Sequence, residues 1–233
     1  MSQWMGTGAL ALWIDVTPGL EDEADTWYVD EHLPDRVYTA GYGRARRYKA
    51  VEGGPKYLSI FEAQTPDALG SEGYLALVRQ ISEQSRRIRA GFTRVLRNTF
   101  SVPWSQGRGV GGCMASVRLR ATGDAGAAAS TGQPPQAMLA AILKQPGIVG
   151  VHWLVPAPEV RARMDQVRAV GQGDELAGHA LLIEATQPGD IARLRQAQLS
   201  AAAFSAEGWR EEGFAVYQLL YEVSQNSPGG TST

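Results

Sequence analysis

Ten consecutive residues, Trp27-Tyr28-Val29-Asp30-Glu31-His32-Leu33-Pro34-Asp35-Arg36, gather an imidazole, carboxylates, a guanidinium and two aromatic rings into one short stretch. His32 is one of three histidines in 233 residues. An unperturbed imidazole titrates at about pH 6.5, so it can take or give a proton near neutrality. Arg36 presents a planar fork of donors suited to a carboxylate or phenolate. Glu31 adds a second acid–base group beside the histidine. On an α-helix Tyr28 and His32 are four apart and share a face, as do Trp27 and Glu31. The chemistry such a set supports is proton transfer next to a held anion, against an aromatic wall. A second reading needs no chemistry: Trp27 and Tyr28 as core aromatics, Arg36 paired with Glu31 or Asp35, and His-Leu-Pro as a helix stop. Pro34 disfavours helical backbone at Leu33, which predicts a helix ending close to His32, beside a chain reversal.

Arg44, Arg46 and Tyr48 alternate along a predicted strand and therefore project from one sheet face. Two guanidiniums on a covered face require anions. They are met either by an ion-pair network between the two halves of the chain, with Asp15 and Glu62 as candidate acids, or by a ligand anion. Arg94 and Arg97 carry the same two readings. Tyr57 and Ser59 share a strand face, and Ser59 could donate a hydrogen bond to a substrate. His152, in the middle of a strand at the position equivalent to Arg46, reads as structural and as a possible member of the network. His179, at a strand start, also reads as structural.

These residues need elements to position them, and the hydrophobic pattern supplies two similar sets. In the first half, 9–16 is a strand apolar on both faces. Thr17-Pro18 opens a helix whose first turn carries Glu21, Asp22 and Glu23. Strands follow over 41–50 and 57–63, then a helix over 66–90 and a strand over 93–102. The second half repeats the order: strand 113–119, helix 135–144, strands 147–155 and 179–185, helix 188–203, strand 214–223. An extra helix is expected over 158–170. The echo is clearest where Ile60-Phe61-Glu62-Ala63-Gln64-Thr65-Pro66 matches Leu182-Ile183-Glu184-Ala185-Thr186-Gln187-Pro188, and where Gly41-Tyr42-Gly43 matches Gly147-Ile148-Val149. Each half is thus βαββαβ, the ferredoxin-like unit, and two such units can pack sheet to sheet. The expected divisions are 1–106, carrying the site; 107–225, mainly scaffold; and 226–233, a disordered tail. Residues 123–133 read as a mobile loop. The helix at 135–144 has no histidine, arginine or tryptophan, so one functional pocket is expected, in the first half.

Composition excludes several classes. A net charge of -2 argues against a nucleic-acid or membrane-surface partner. Cys113 stands alone, so no disulfide framework or cysteine-rich metal site is expected. No metal-ligand spacing, no dinucleotide fingerprint in the right context and no serine-hydrolase elbow is visible. No apolar run reaches membrane-spanning length and no secretory signal opens the chain, so a reducing, cytoplasmic location is the default.

The repeated pattern, with Trp27, His32, Pro34 and Arg36 at the end of the first helix, resembles the dimeric α+β barrel superfamily in a fused, single-chain version. The motif resembles that of the EthD-like branch. The resemblance implies a pocket between helices and sheet in each half, with His32 acting as acid or base or orienting a ligand oxygen. It also implies a range of chemistries: cofactor-free monooxygenases, isomerases, cyclases and decarboxylases, and haem enzymes. Three functions follow. One is a cofactor-independent enzyme (lyase, isomerase or monooxygenase type) acting on a small aromatic or enolisable oxyacid. There His32, Arg36 and Glu31 carry the chemistry, and Trp27, Tyr28, Arg44, Arg46, Tyr48 and Ser59 bind. The second is a non-catalytic small-molecule binding protein. The third binds haem through His32 or His152. No cofactor is expected under the first reading. A fused pair already supplies the barrel, so either a monomer or a homodimer is compatible.

Overall fold

The computed structural model describes residues 4–122, 133–167 and 174–225. The first half runs β1 (Gly8–Val16), α1 (Glu21–Trp27), β2 (Arg44–Gly53), β3 (Tyr57–Ala63), α2 (Glu72–Arg79), α3 (Glu83–Ala90) and β4 (Phe92–Gly107). The second runs β5 (Cys113–Ala121), α4 (Gln136–Leu143), β6 (Ile148–Pro156), α5 (Pro158–Asp165), β7 (His179–Ala185), α6 (Pro188–Arg195), α7 (Ala201–Ala206) and β8 (Trp209–Ser224). All neighbouring strands are antiparallel, and they close into a barrel in the order β1-β3-β2-β8-β5-β7-β6-β4.

Two long strands perform the closure. β4 pairs with β1 of its own half and then with β6, while β8 pairs with β5 and then with β2. The barrel therefore leaves no free sheet edge. This is the expected α+β architecture, two ferredoxin-like βαββαβ units in one single-chain dimeric α+β barrel.

Side-chain alternation divides the burial. Ala9, Ala11 and Trp13 of β1 join Leu58 and Ile60 of β3 inside the barrel. Leu10 and Ile14 join Tyr57 and Phe61 under the first-half helices. The second-half helices cover Val117, Leu181 and Ile183 in the same way. Burial on both faces explains the near-continuous apolar runs, and each large side chain so buried contributes roughly 1.5–3 kcal/mol. Gly41 and Gly147, which end the helical segments before β2 and β6, have φ of 80° and 78°. Both sit where a left-handed residue reverses the chain, and glycine adopts that conformation without strain.

Several boundaries differ from the sequence expectation. Thr17 does not cap the first helix; its hydroxyl donates to the Gly91 carbonyl, and the helix begins at Glu21. The single helix expected over 66–90 is two helices, each capped by a serine hydroxyl, Ser71 and Ser82. The helix expected over 188–203 also divides, with Ser200 capping the second piece. The extra helix is observed as Pro158–Asp165; residues 168–170 of that expectation lie outside the described residues, as do 123–132 of the loop and the tail at 226–233.

The centre of the barrel is ionic. Arg44 and Arg46 both bond Glu62, and Arg46 also bonds Glu184 of the other half at 2.7 Å. His152 Nε2 lies 3.1 Å from the same Glu184 oxygen. The remaining carboxylate oxygens accept backbone N–H groups, Glu62 from Met5 and Glu184 from Gly111. The network between halves is therefore real. Glu62 and Glu184 are its acids, whereas Asp15 pairs with Arg94 at the barrel's end.

Candidate active site

Pro34 does not end the first helix. Leu33 (φ -72°, ψ -44°) and Pro34 (φ -53°, ψ -47°) both keep helical backbone. The chain instead widens after Trp27 into two five-residue turns, Tyr28–His32 and Asp35–Thr39. In these, Leu33 N–H donates to the Tyr28 carbonyl and Ala40 N–H to the Asp35 carbonyl. A proline ring inside an α-helix collides with the carbonyl four residues back and offers that carbonyl no N–H. The wider i→i+5 turn relieves both problems.

The widening changes which side chains meet. Trp27 and His32, five apart, stack with ring centroids 4.3 Å apart and planes 26° from parallel. Tyr28 meets the imidazole edge-on at 4.9 Å, and Phe61 of β3 does so at 5.7 Å. His32 is buried, and neither ring nitrogen has a hydrogen-bond partner among the described residues. Burial first, then the cations Arg36, Arg89 and Arg47, hold its pKa well below the usual histidine range. The ring is therefore neutral at pH 7, with one nitrogen able to accept a proton.

Glu31, which lines one cleft with His32, reaches toward α3. Its carboxylate accepts hydroxyl hydrogen bonds from Ser82 and from Ser85, the latter at 2.5 Å. Ser85 Oγ in turn accepts the Trp27 indole N–H at 3.0 Å. Ser82 and Ser85 lie in the first turn of α3, where backbone donors and the helix dipole favour a negative charge. This relay fixes the indole on which the imidazole stacks.

Between α1 and the α2–α3 break lies a cleft of ≈ 220 Å³, lined by His32, Asp35, Arg36, Gln80, Ser85 and Arg89 among others. Arg36 forms no ion pair with Glu31 or Asp35; its guanidinium rests 5.2 Å from the centre of the Tyr74 ring. Burial raises the pKa of Asp35 despite the neighbouring Arg36. The cleft can thus hold an anion between guanidiniums while a neutral imidazole and a carboxyl of raised pKa face it.

The sequence-derived site residues divide between two places. His32, Glu31 and Arg36 line the cleft, and Trp27 and Tyr28 pack on His32 as buried rings behind it. Arg44, Arg46 and Tyr48 lie on the opposite sheet face, inside the barrel and sealed from solvent. Ser59 is buried on the helix-facing side, one row below Phe61. Arg89, Gln80, Ser82 and Ser85 were missed, because a continuous helix over 66–90 hides the break that aims them at the cleft. The signal was present: Ser82 followed by Glu83 is an N-cap pattern inside an apparent helix.

His152 has Nδ1 on Ser105 at 2.8 Å and Nε2 on Glu184, which leaves no ring nitrogen for iron. The His32 cleft, at ≈ 220 Å³, is smaller than the roughly 300 Å³ at which ordinary ligand pockets begin. His179 packs on Trp209 and Trp153. Among the described residues no group of three or more His, Cys, Asp or Glu side chains could hold a metal ion, and no helix is long and apolar enough to cross a membrane.

No family model and no curated protein matches this sequence. Solved structures do. An anthrone oxidase-like protein superposes with a TM-score of 0.64 over 100% of this chain and 99% of its own, at 15% identity. The fold is that of the dimeric α+β barrels. A candidate monooxygenase from Fusobacterium nucleatum subsp. nucleatum gives 0.58 over 95% and 96% at 8% identity. A heme-binding protein from Thermus thermophilus gives 0.54 over 93% and 92% at 13% identity. Each match runs nearly end to end, so these neighbours also carry the barrel in one chain. Identities this low establish the fold and no chemistry.

Proposed function

We propose that the His32 cleft is the active site of a cofactor-independent enzyme that moves a proton on a small aromatic or enolisable oxyacid. The observation that carries this reading is a neutral, unbonded imidazole facing a cleft that Arg36 and Arg89 also line. The substrate's acidic group sits between the guanidiniums. Its negative charge offsets Arg36 and Arg89, two of the three cations that depress His32, so the imidazole becomes a stronger base once substrate is bound. His32 then takes a proton from the carbon or oxygen beside the acidic group, and the guanidiniums stabilise the enolate or phenolate that forms. Asp35, with its raised pKa, is suited to return a proton. Glu31 acts through Trp27 and Ser85 as a positioning residue. The motif's likeness to the EthD-like branch supports the same site, and the names of the solved neighbours add oxygenation to isomerisation and lyase outcomes, all of which begin with this proton removal.

Hydrogen exchange tests the step without knowledge of the final product. Enolisable carboxylic acids are incubated with the protein in heavy water and followed by NMR. The parent is expected to accelerate exchange at the carbon next to the acidic group, while His32→Ala loses that acceleration. Binding of these acids without exchange would instead make the protein a carrier.

A further inference from the structure

The sheet face beneath α1 carries polar side chains that this reading does not use. Strand register aligns Leu12, Ser59, Arg47 and Tyr221 across β1, β3, β2 and β8. Arg47 lies between two rings, 3.5 Å from the centre of Tyr28 and 4.3 Å from that of Tyr57, and it bonds Asp25 through Nε and Nη2. Its Nη1 has no partner. The hydroxyls of Ser59, Tyr28, Tyr57 and Tyr221 have none either. Arg47 and Ser59 are 1% and 0% exposed, and the Tyr28 and Tyr57 rings are fully covered.

Buried polar groups are almost always bonded, so five unsatisfied atoms gathered about one guanidinium call for an explanation. All five can donate, and the burial that raises the pKa values of Tyr57 and Tyr221 keeps their protons in place. The missing partner is an acceptor. Asp25 already answers the charge of Arg47, so that acceptor need carry no charge of its own. The cluster also adjoins the cleft. Tyr28 touches both Arg47 and His32, and Phe61, which meets His32, is the next residue after Ser59 on the same strand face.

We infer that the His32 cleft continues beneath α1 into an inner subsite, where Arg47 Nη1 and the hydroxyls of Ser59 and Tyr221 receive a second, neutral oxygen of the ligand. Tyr28, on the widened turn, lies between the cleft residue His32 and Arg47 of this cluster, and its ring moves aside as the ligand enters. This deepens the proposed function and rests on it: the substrate is an oxyacid with a carbonyl or hydroxyl at the end remote from its acidic group.

Calorimetric titration with benzoate, 4-acetylbenzoate and acetophenone tests the subsite in the parent, Ser59→Ala and Tyr221→Phe. Each variant removes an unbonded hydroxyl with little change of shape, so both should fold, and melting curves check this. The parent is expected to bind 4-acetylbenzoate about five- to tenfold tighter than benzoate, the effect of one added hydrogen bond. Both variants should lose most of that preference while binding benzoate as the parent does. Equal affinities for the two acids in the parent, or a preference the variants keep, would overturn the inner subsite. Acetophenone separates the two claims. If neither acid binds but acetophenone does, in a manner dependent on Ser59, the acid-binding cleft fails and the inner subsite stands. If no compound binds, both fail.

Discussion

The imidazole of His32 lies over the indole of Trp27, ring centroids 4.3 Å apart. The contact exists because the backbone between them makes a five-residue turn, and the indole is itself held by Ser85. The ring proposed to move the proton is thus packed like a core ring on its faces, with its nitrogens unbonded among the described residues.

That packing has a pH signature. His32 has a folded-state pKa well below its unfolded value, and His179 is pushed down to about 4 by burial. As pH falls below about 6.5 the unfolded chain takes up these protons first, so stability is present above that pH and lost below it. The urea midpoint of the parent is expected to drop between pH 7 and pH 5. His32→Gln and His179→Gln should each flatten the drop.

Arg36 is buried yet meets no carboxylate, so the desolvation of its charge offsets its contact with the Tyr74 ring. Arg36→Ala should therefore melt close to the parent. The thermal stabilisation that benzoate gives the parent should disappear in the variant. A variant that still responds to benzoate would remove Arg36 from the binding site.

Ser85→Ala breaks the relay between Trp27 and Glu31. It leaves the indole N–H without an acceptor inside the protein, at a cost of about 1–2 kcal/mol. Glu31 is then free to turn toward the guanidiniums of the cleft. Both a lowered urea midpoint and weaker benzoate binding are expected, the second being the effect that simple loss of packing would not produce.

Arg46 answers two buried carboxylates at once, Glu62 and Glu184. Arg46→Met leaves Glu184 with only His152 and backbone Gly111, and should cost about 3–5 kcal/mol in urea unfolding. The double variant Arg46→Met with Glu184→Gln should recover part of that loss, because it removes one of the stranded charges.

The strands were legible because their apolar pattern and turn glycines are local signals; Tyr57–Ala63 and His179–Ala185 match the expectation residue for residue. The matching Glu62 and Glu184 also gave away the internal repeat. The helices were less legible. Pro34 is a strong local breaker, yet tertiary packing holds Leu33, fully buried, and carries the helix past it in a widened form. The cleft was half visible: the motif on α1 announces itself, while Arg89 and the two serines of α3 depend on a helix break whose only mark is Ser82. Arg44, Arg46 and Tyr48 show that alternation identifies a shared face without saying which face it is.

The lopsidedness of the barrel's ionic centre has an evolutionary reading. Arg44 and Arg46 lie beside Glu62 in one repeat, where Gly150 and His152 lie beside Glu184 in the other. Two copies of the first repeat would bring four arginines to two glutamates, and two copies of the second would bring none. Neither repeat doubled would reproduce the balance of charge that the two halves reach together.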